Sequence, residues 1–161
     1  MSTAATSYRI DARVVRPGVS AATSKETVVE FDTSALQSEV LPGPADLLTM
    51  AFAACLLKNV ERFAVILSFR YAAASIEVVS ERQDVPAKMT KISYSLRLVT
   101  DEPARRVDLL HRNIRQHGTI YNTLAAVCEV SGEVVVEGAR EMAGTPLPQR
   151  SQVAHAHVHG S

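Results

Sequence analysis

Tryptophan is absent from this 161-residue chain, aromatic residues make up 5% of it, and cysteine occurs twice. Cys55 and Cys128 supply neither a zinc-ligand spacing nor a disulfide framework, so the chain is expected to work with reduced thiols in the cytoplasm. Charge of one sign is not in excess: 17 Lys and Arg face 17 Asp and Glu. That balance removes the electrostatic hold that a nucleic acid or an anionic membrane surface would need, and leaves small molecules and proteins as the expected partners. A membrane-length apolar run is missing too. The nearly unbroken stretch Leu47 to Leu57 gives way to Lys58, Glu61 and Arg62, well short of the roughly 20 apolar residues of a span. The opening MSTAATSYRIDARVV has no apolar signal core. No internal repeat and no cofactor-binding motif is found.

What remains is 47% hydrophobic, enough for one domain with a core of its own. Residues 1–7 read as a flexible start, 8–140 as the domain, and 141–161 as a polar, proline-containing tail. That tail places His155, His157 and His159 at alternate positions. Imidazoles so spaced can meet a transition metal, but a disordered tail with adventitious affinity is the simpler expectation, and no metal site is assigned.

Within the domain, Tyr8, Ile10, Ala12 and Val14 alternate with Arg9, Asp11 and Arg13, which predicts a strand over 8–15. Arg16-Pro17-Gly18 signals a turn, and Glu26 to Asp32 reads as a second strand pairing with the first. A helix is predicted from Pro44, which suits a first helical turn, to about Ala64. Two further strands follow, Ala74 to Gln83 and Lys91 to Val99, with Ile92, Tyr94, Leu96 and Leu98 on one face. Residues 101–118 read as a helix capped by Asp101, with Pro103 early, a stripe of Val107, Leu110 and Ile114, and Gly118 as a left-handed stop. A short helical turn, IYNTLAAV, leads to a last strand in which Cys128 shares the inward parity of Val130, Val134 and Val136. This order of elements argues for an α+β fold.

The helix around Cys55 has no polar face over its first turns, so it needs cover on every side. A thiol among apolar groups is either an inert packing group or a nucleophile for which the fold brings up a donor or a cation. Lys58 and Asn59, three and four residues on, share its side of the helix. Snorkelling to water is the commoner fate of such a lysine. For Cys128, packing is the expected role. Tyr121 and Asn122 are candidates to line a pocket or, more simply, to pack on the sheet and satisfy the turn. His111 is expected to be exposed, and His117 to complement a helix end.

The segment PGPADLLTMAFAACLLKNVERFA resembles the central helix of the OsmC/Ohr family of thiol-dependent hydroperoxide reductases, and Cys55 falls on the family's peroxide-attacking cysteine. The resemblance runs from about Tyr8 to Gly138. It implies antiparallel sheets around a cysteine-bearing helix and an intertwined homodimer with its sites at the subunit interface. It also implies reduction of organic hydroperoxides by Cys55 at the expense of an external thiol. In peroxidatic members a second cysteine opens a segment resembling Cys-Pro-(Ile/Val)-X-Asn-Thr-Leu. Here that segment is Gly118-Thr119-Ile120-Tyr121-Asn122-Thr123-Leu124, so the resolving cysteine is replaced by Gly118. An acid that helps hold the family's arginine is replaced by Ala45. The neighbouring Asp46 lies nine positions before Cys55, on the far side of the helix at about 100° per residue. The family arginine has two candidates here, Arg13 and Arg16. Two other readings stand beside the peroxidase: a non-catalytic protein of this fold that binds an apolar small molecule at its dimer interface, and a thiol sensor that oxidises once without turnover.

Overall fold

The computed structural model describes residues 5–36 and 38–138. Most of the two expected terminal segments, with His155, His157 and His159, lies outside the described residues. Strands β1 (Asp11–Arg16), β2 (Val19–Ser24) and β3 (Thr27–Asp32) precede helix α1 (Pro44–Ile66). Strands β4 (Ala73–Asp84) and β5 (Ala87–Val99) follow, then helices α2 (Ala104–Gln116) and α3 (Thr119–Ala125), and strand β6 (Glu129–Glu137). The α+β class is as expected. No helix among the described residues is long and apolar enough to cross a membrane.

The first sheet departs from the expected two-strand pairing. Its order is β1-β2-β3, so Val19–Ser24 lies between the two strands read from the sequence and pairs antiparallel with both. The middle strand, VSAATS, carries small residues without apolar alternation, which is why its pattern is silent. Small side chains suit its place, where Ser20 and Ala21 are buried. Pro17 and Gly18 occupy the centre of the β1–β2 turn, with Gly18 at φ 77°, a conformation that glycine adopts at no steric cost. Tyr8 and Ile10 precede the strand rather than belonging to it. None of the buried residues of the main hydrophobic core comes from this sheet, and Val14 and Val28 are 71% and 61% exposed.

Helix α1 begins where Gly43 donates its N–H to the Asp46 carboxylate at 2.8 Å, closing a donor left open at every helix start. One side of α1 buries Phe52, Leu56, Val60, Phe63 and Ala64 against β4, α2 and α3. On the other side Met50, Val65 and Ile66 stay exposed. A single chain therefore covers α1 on one side only.

The second sheet has the order β4-β5-β6. Strands β4 and β5 form the expected antiparallel pair, while β6 runs parallel to β5. This corrects the expectation of antiparallel sheets. Between β5 and β6 the chain makes α2 and α3, a connection long enough to return it to the same end of the sheet. Ile92, Tyr94, Leu96 and Leu98 are buried as their alternation predicts, as are Val107, Leu110 and Ile114 of α2. At the β5–β6 seam Tyr94 faces Gly132, and a Cβ on that glycine would stand 2.4 Å from the ring.

Helix α2 starts later than predicted, with Pro103 rather than Asp101 as its N-cap residue. The acid that organises this corner is Glu102. It accepts from the Arg70 N–H at 2.9 Å and from Arg106 Nε, and Arg106 also donates to the carbonyls of Leu67 (2.9 Å) and Ser68 (2.8 Å) just past α1. One arginine thus joins the end of α1 to the start of α2.

Candidate functional site

Helical periodicity places Phe52, Cys55 and Asn59 along one side of α1, the side that meets α3. Phe52 and Asn59 are buried and Cys55 is half-buried. The Tyr121 ring stacks on that of Phe52, with centroids 5.8 Å apart and planes at 30°. Lys58 is exposed. Of the two candidates next to the thiol, the fold selects Asn59: its Nδ2 lies 4.0 Å from Cys55 Sγ and 3.5 Å from the Ile114 carbonyl near the end of α2.

Gly118 closes this corner. Its φ of −80° and ψ of 109° make it an extended N-cap for α3, so the expected left-handed stop is corrected. The glycine is required by close approach instead. A Cβ there would stand 2.9 Å from Tyr121 Cβ, 3.0 Å from the Ile114 carbonyl and 3.4 Å from Asn59 Nδ2. The position that the resemblance gives to a second cysteine therefore lies beside the Asn59 amide that reaches Cys55, and its space is already filled.

Cys128 sits in the bend just before β6 rather than in the strand. It packs against the core, and its S–H donates to the Leu124 carbonyl at 3.2 Å. Burial pushes its thiol pKa up, which disfavours a nucleophilic role at neutral pH.

The charged candidates divide similarly. Ala45 is exposed in the first turn of α1, and Asp46 is engaged as the helix cap. Arg16 of β1 pairs with Glu30 of β3 at 3.7 Å. The Arg13 side chain makes no hydrogen bond or ion pair among the described residues. Neither arginine bonds to Cys55 within the described chain.

A polar group that the sequence did not announce lies at the Tyr121 end of the corner. Arg115 Nε donates to the Tyr121 hydroxyl at 2.8 Å. Arg115 and Tyr121 stand six positions apart on either side of Gly118, a spacing without helical meaning that only the turn brings together. His111, expected to be exposed, is half-buried. It shares a 2.7 Å hydrogen bond with the Tyr94 hydroxyl, because Leu110 and Ile114 turn this flank of α2 inward. Burial, and then the nearby Arg115 charge, lower the His111 pKa. Burial first, then Tyr121, push Tyr94 up to about 12, so the pair is neutral near pH 7. Asn122 donates to the Gln116 carbonyl at 3.0 Å and satisfies the turn. The His117 ring packs 5.1 Å from that of Phe63.

A family model described as OsmC-like protein matches residues 37–133 of the chain. No curated protein matches it. Among solved structures, an OsmC-like protein from Mycoplasma pneumoniae is similar with a TM-score of 0.75 and 17% identity, over 81% of this chain and 97% of its own. The organic hydroperoxide resistance protein OhrB of Bacillus subtilis is similar with a TM-score of 0.60 and 15% identity, over 81% and 98%. An organic hydroperoxide resistance protein from Elizabethkingia anophelis, with crystallant-derived thiocyanate bound, gives 0.64 and 14%, over 82% and 99%. At such identities the structural likeness is one of fold. The family model, however, spans more than half of the chain and takes in α1 with Cys55, the Gly118 corner and α3, and the chain belongs to the OsmC-like protein family.

Proposed function

We propose that this protein is a cytoplasmic stress protein that reduces organic hydroperoxides through Cys55, working as a homodimer with an external thiol as reductant. The observation that carries the reading is the place of Cys55: a half-buried thiol on the family helix, with an amide donor on one flank and the aromatic pair Phe52 and Tyr121 on the other. Apolar neighbours such as Phe52 and Tyr121 would favour an alkyl hydroperoxide over hydrogen peroxide, because the alkyl group gains from burial.

The chemistry balances without a second cysteine. The Cys55 thiolate attacks the terminal oxygen of R–O–O–H, an S–O bond forms, and the O–O bond breaks. The alkoxide leaves and takes up a proton as the alcohol, while the sulfur is oxidised by two electrons to a sulfenic acid. An external thiol then attacks that sulfur, an S–S bond forms and water leaves. A second thiol releases Cys55 and carries the oxidation away as a disulfide. The glycine at 118 is the reason that the resolving thiol has to come from outside.

Consumption of an organic hydroperoxide by purified protein with a dithiol reductant tests this. The comparison is between the parent chain, Cys55→Ser and Cys128→Ser. Turnover that disappears in Cys55→Ser and persists in Cys128→Ser is the expected result. Absence of turnover in the parent chain, with a small dithiol and with a lipoyl reductant alike, would sink the reading.

The losses at 118 and 45 favour a second reading, a non-catalytic binder of an apolar molecule at the dimer interface. An apolar compound that copurifies with the protein, together with a Cys55 inert to small alkylating reagents, would support it. Stoichiometric oxidation of Cys55 without cycling would mark a sensor instead.

A further inference from the structure

Asn59 is 7% exposed, yet half of its carboxamide has a clear assignment. Both acceptors near Nδ2, the Cys55 sulfur and the Ile114 carbonyl, call for N–H groups, so the flipped amide would set Oδ1 against a carbonyl oxygen. Oδ1 forms no hydrogen bond among the described residues. A Cβ at Gly118 would meet Nδ2 at an ordinary contact distance of 3.4 Å, and would press instead on Tyr121 Cβ at 2.9 Å and on the Ile114 carbonyl at 3.0 Å.

We propose that Asn59 is the residue that activates Cys55, its Nδ2–H donating to the sulfur as the thiolate forms and attacks. A donor aimed at a thiolate lowers the energy of the anion that does the chemistry. Asn59 would thereby supply this stabilisation from within α1, where neither the Arg13 nor the Arg16 side chain of the same chain bonds to Cys55 among the described residues. The proposal rests on the peroxide reading for the reaction it serves.

The test uses the full chain carrying Cys128→Ser, so that Cys55 is the one thiol present, alone and with Asn59→Leu or Asn59→Asp. Each protein is alkylated with iodoacetamide at neutral pH and, separately, oxidised with cumene hydroperoxide in the presence of a sulfenic-acid trap. Alkylation is expected to slow about tenfold in Asn59→Leu, the scale of a lost hydrogen bond to a charged group. It should slow further in Asn59→Asp, where a negative charge faces the thiolate. A purely structural role predicts the opposite sign, because a loosened helix exposes the thiol. Rates unchanged or raised in both variants therefore overturn the proposal. If Asn59→Leu does not fold, Asn59→Asp, which keeps the side chain's size, decides by the same criterion. The expected alkylation pattern with a Cys55 that ignores the hydroperoxide would leave the donor role standing and remove the peroxide reading.

Discussion

At Gly118 the distances set the cost of a side chain. The nearest atoms are a Cβ and a main-chain carbonyl, neither of which can swing aside as the end of a long side chain can. Gly118→Ala is expected to lower stability by about 1–3 kcal/mol, measured by chemical denaturation, and Gly118→Cys to do no better. A Gly118→Cys protein as stable as the parent would contradict the packing described. Asp32 makes a different residue-scale argument. It is buried at the end of β3 and accepts from Ser34 Oγ at 2.6 Å and from the N–H groups of Ser34 and Ser38, each at 2.9 Å. The Ser34 side-chain bond, then the two main-chain bonds, lower its pKa. A folded-state pKa below the unfolded one stabilises the fold above the unfolded value, and that stability is lost as pH falls through the folded one. Asp32→Asn should therefore lose less stability than the parent between about pH 6 and about pH 3, below the ordinary carboxylate range. Thermal melts at the two pH values give the comparison, and equal losses would count against the role.

At the scale of elements, the α1–α2 junction depends on one side chain. Arg106 holds Glu102 and the two carbonyls beyond α1, contacts that need the planar guanidinium fork. Arg106→Ala should lower the melting temperature by about 3 °C or more, the shift that roughly 1 kcal/mol produces in a chain of this size. Arg106→Lys, with a single ammonium in place of the fork, should recover little of the loss. Differential scanning calorimetry checks both. The sequence pattern foresaw α2 and its buried stripe, since Val107, Leu110 and Ile114 repeat at helical spacing. The corner was hidden from it, because Glu102 meets Arg70 and Arg106 meets Leu67 and Ser68 across long separations. The same applies to β2, whose small residues carry no alternation. Its partners on both sides are defined by main-chain hydrogen bonds that any sequence can make.

For the whole molecule, the first sheet and the outer side of α1 pose one question. Val14, Val28, Met50 and Ile66 lie exposed in the single chain, and burying such side chains is worth about 25 cal/mol per Å². The proposed homodimer would cover them with a second copy. Light scattering should give twice the mass of one chain, independent of dilution over the micromolar range. Charge substitutions at both Val14 and Val28 should shift the protein toward one chain's mass or toward aggregation. A parent protein with one chain's mass would remove the dimer while leaving the fold of each chain as described.

The α+β order, the span of α1, the buried faces of β5 and α2 and the cysteine-bearing family helix could be read from the sequence. Each depends on periodicity, turn chemistry or a contiguous motif, which are local properties of the chain. The choice of Asn59 over Lys58, the crowding at Gly118, the meeting of Arg115 with Tyr121, and the parallel seam between β5 and β6 were decided by the tertiary structure. These depend on which side of a helix meets its neighbour and on gaps of a few ångströms between segments far apart in sequence. Such quantities exist only once the elements have packed.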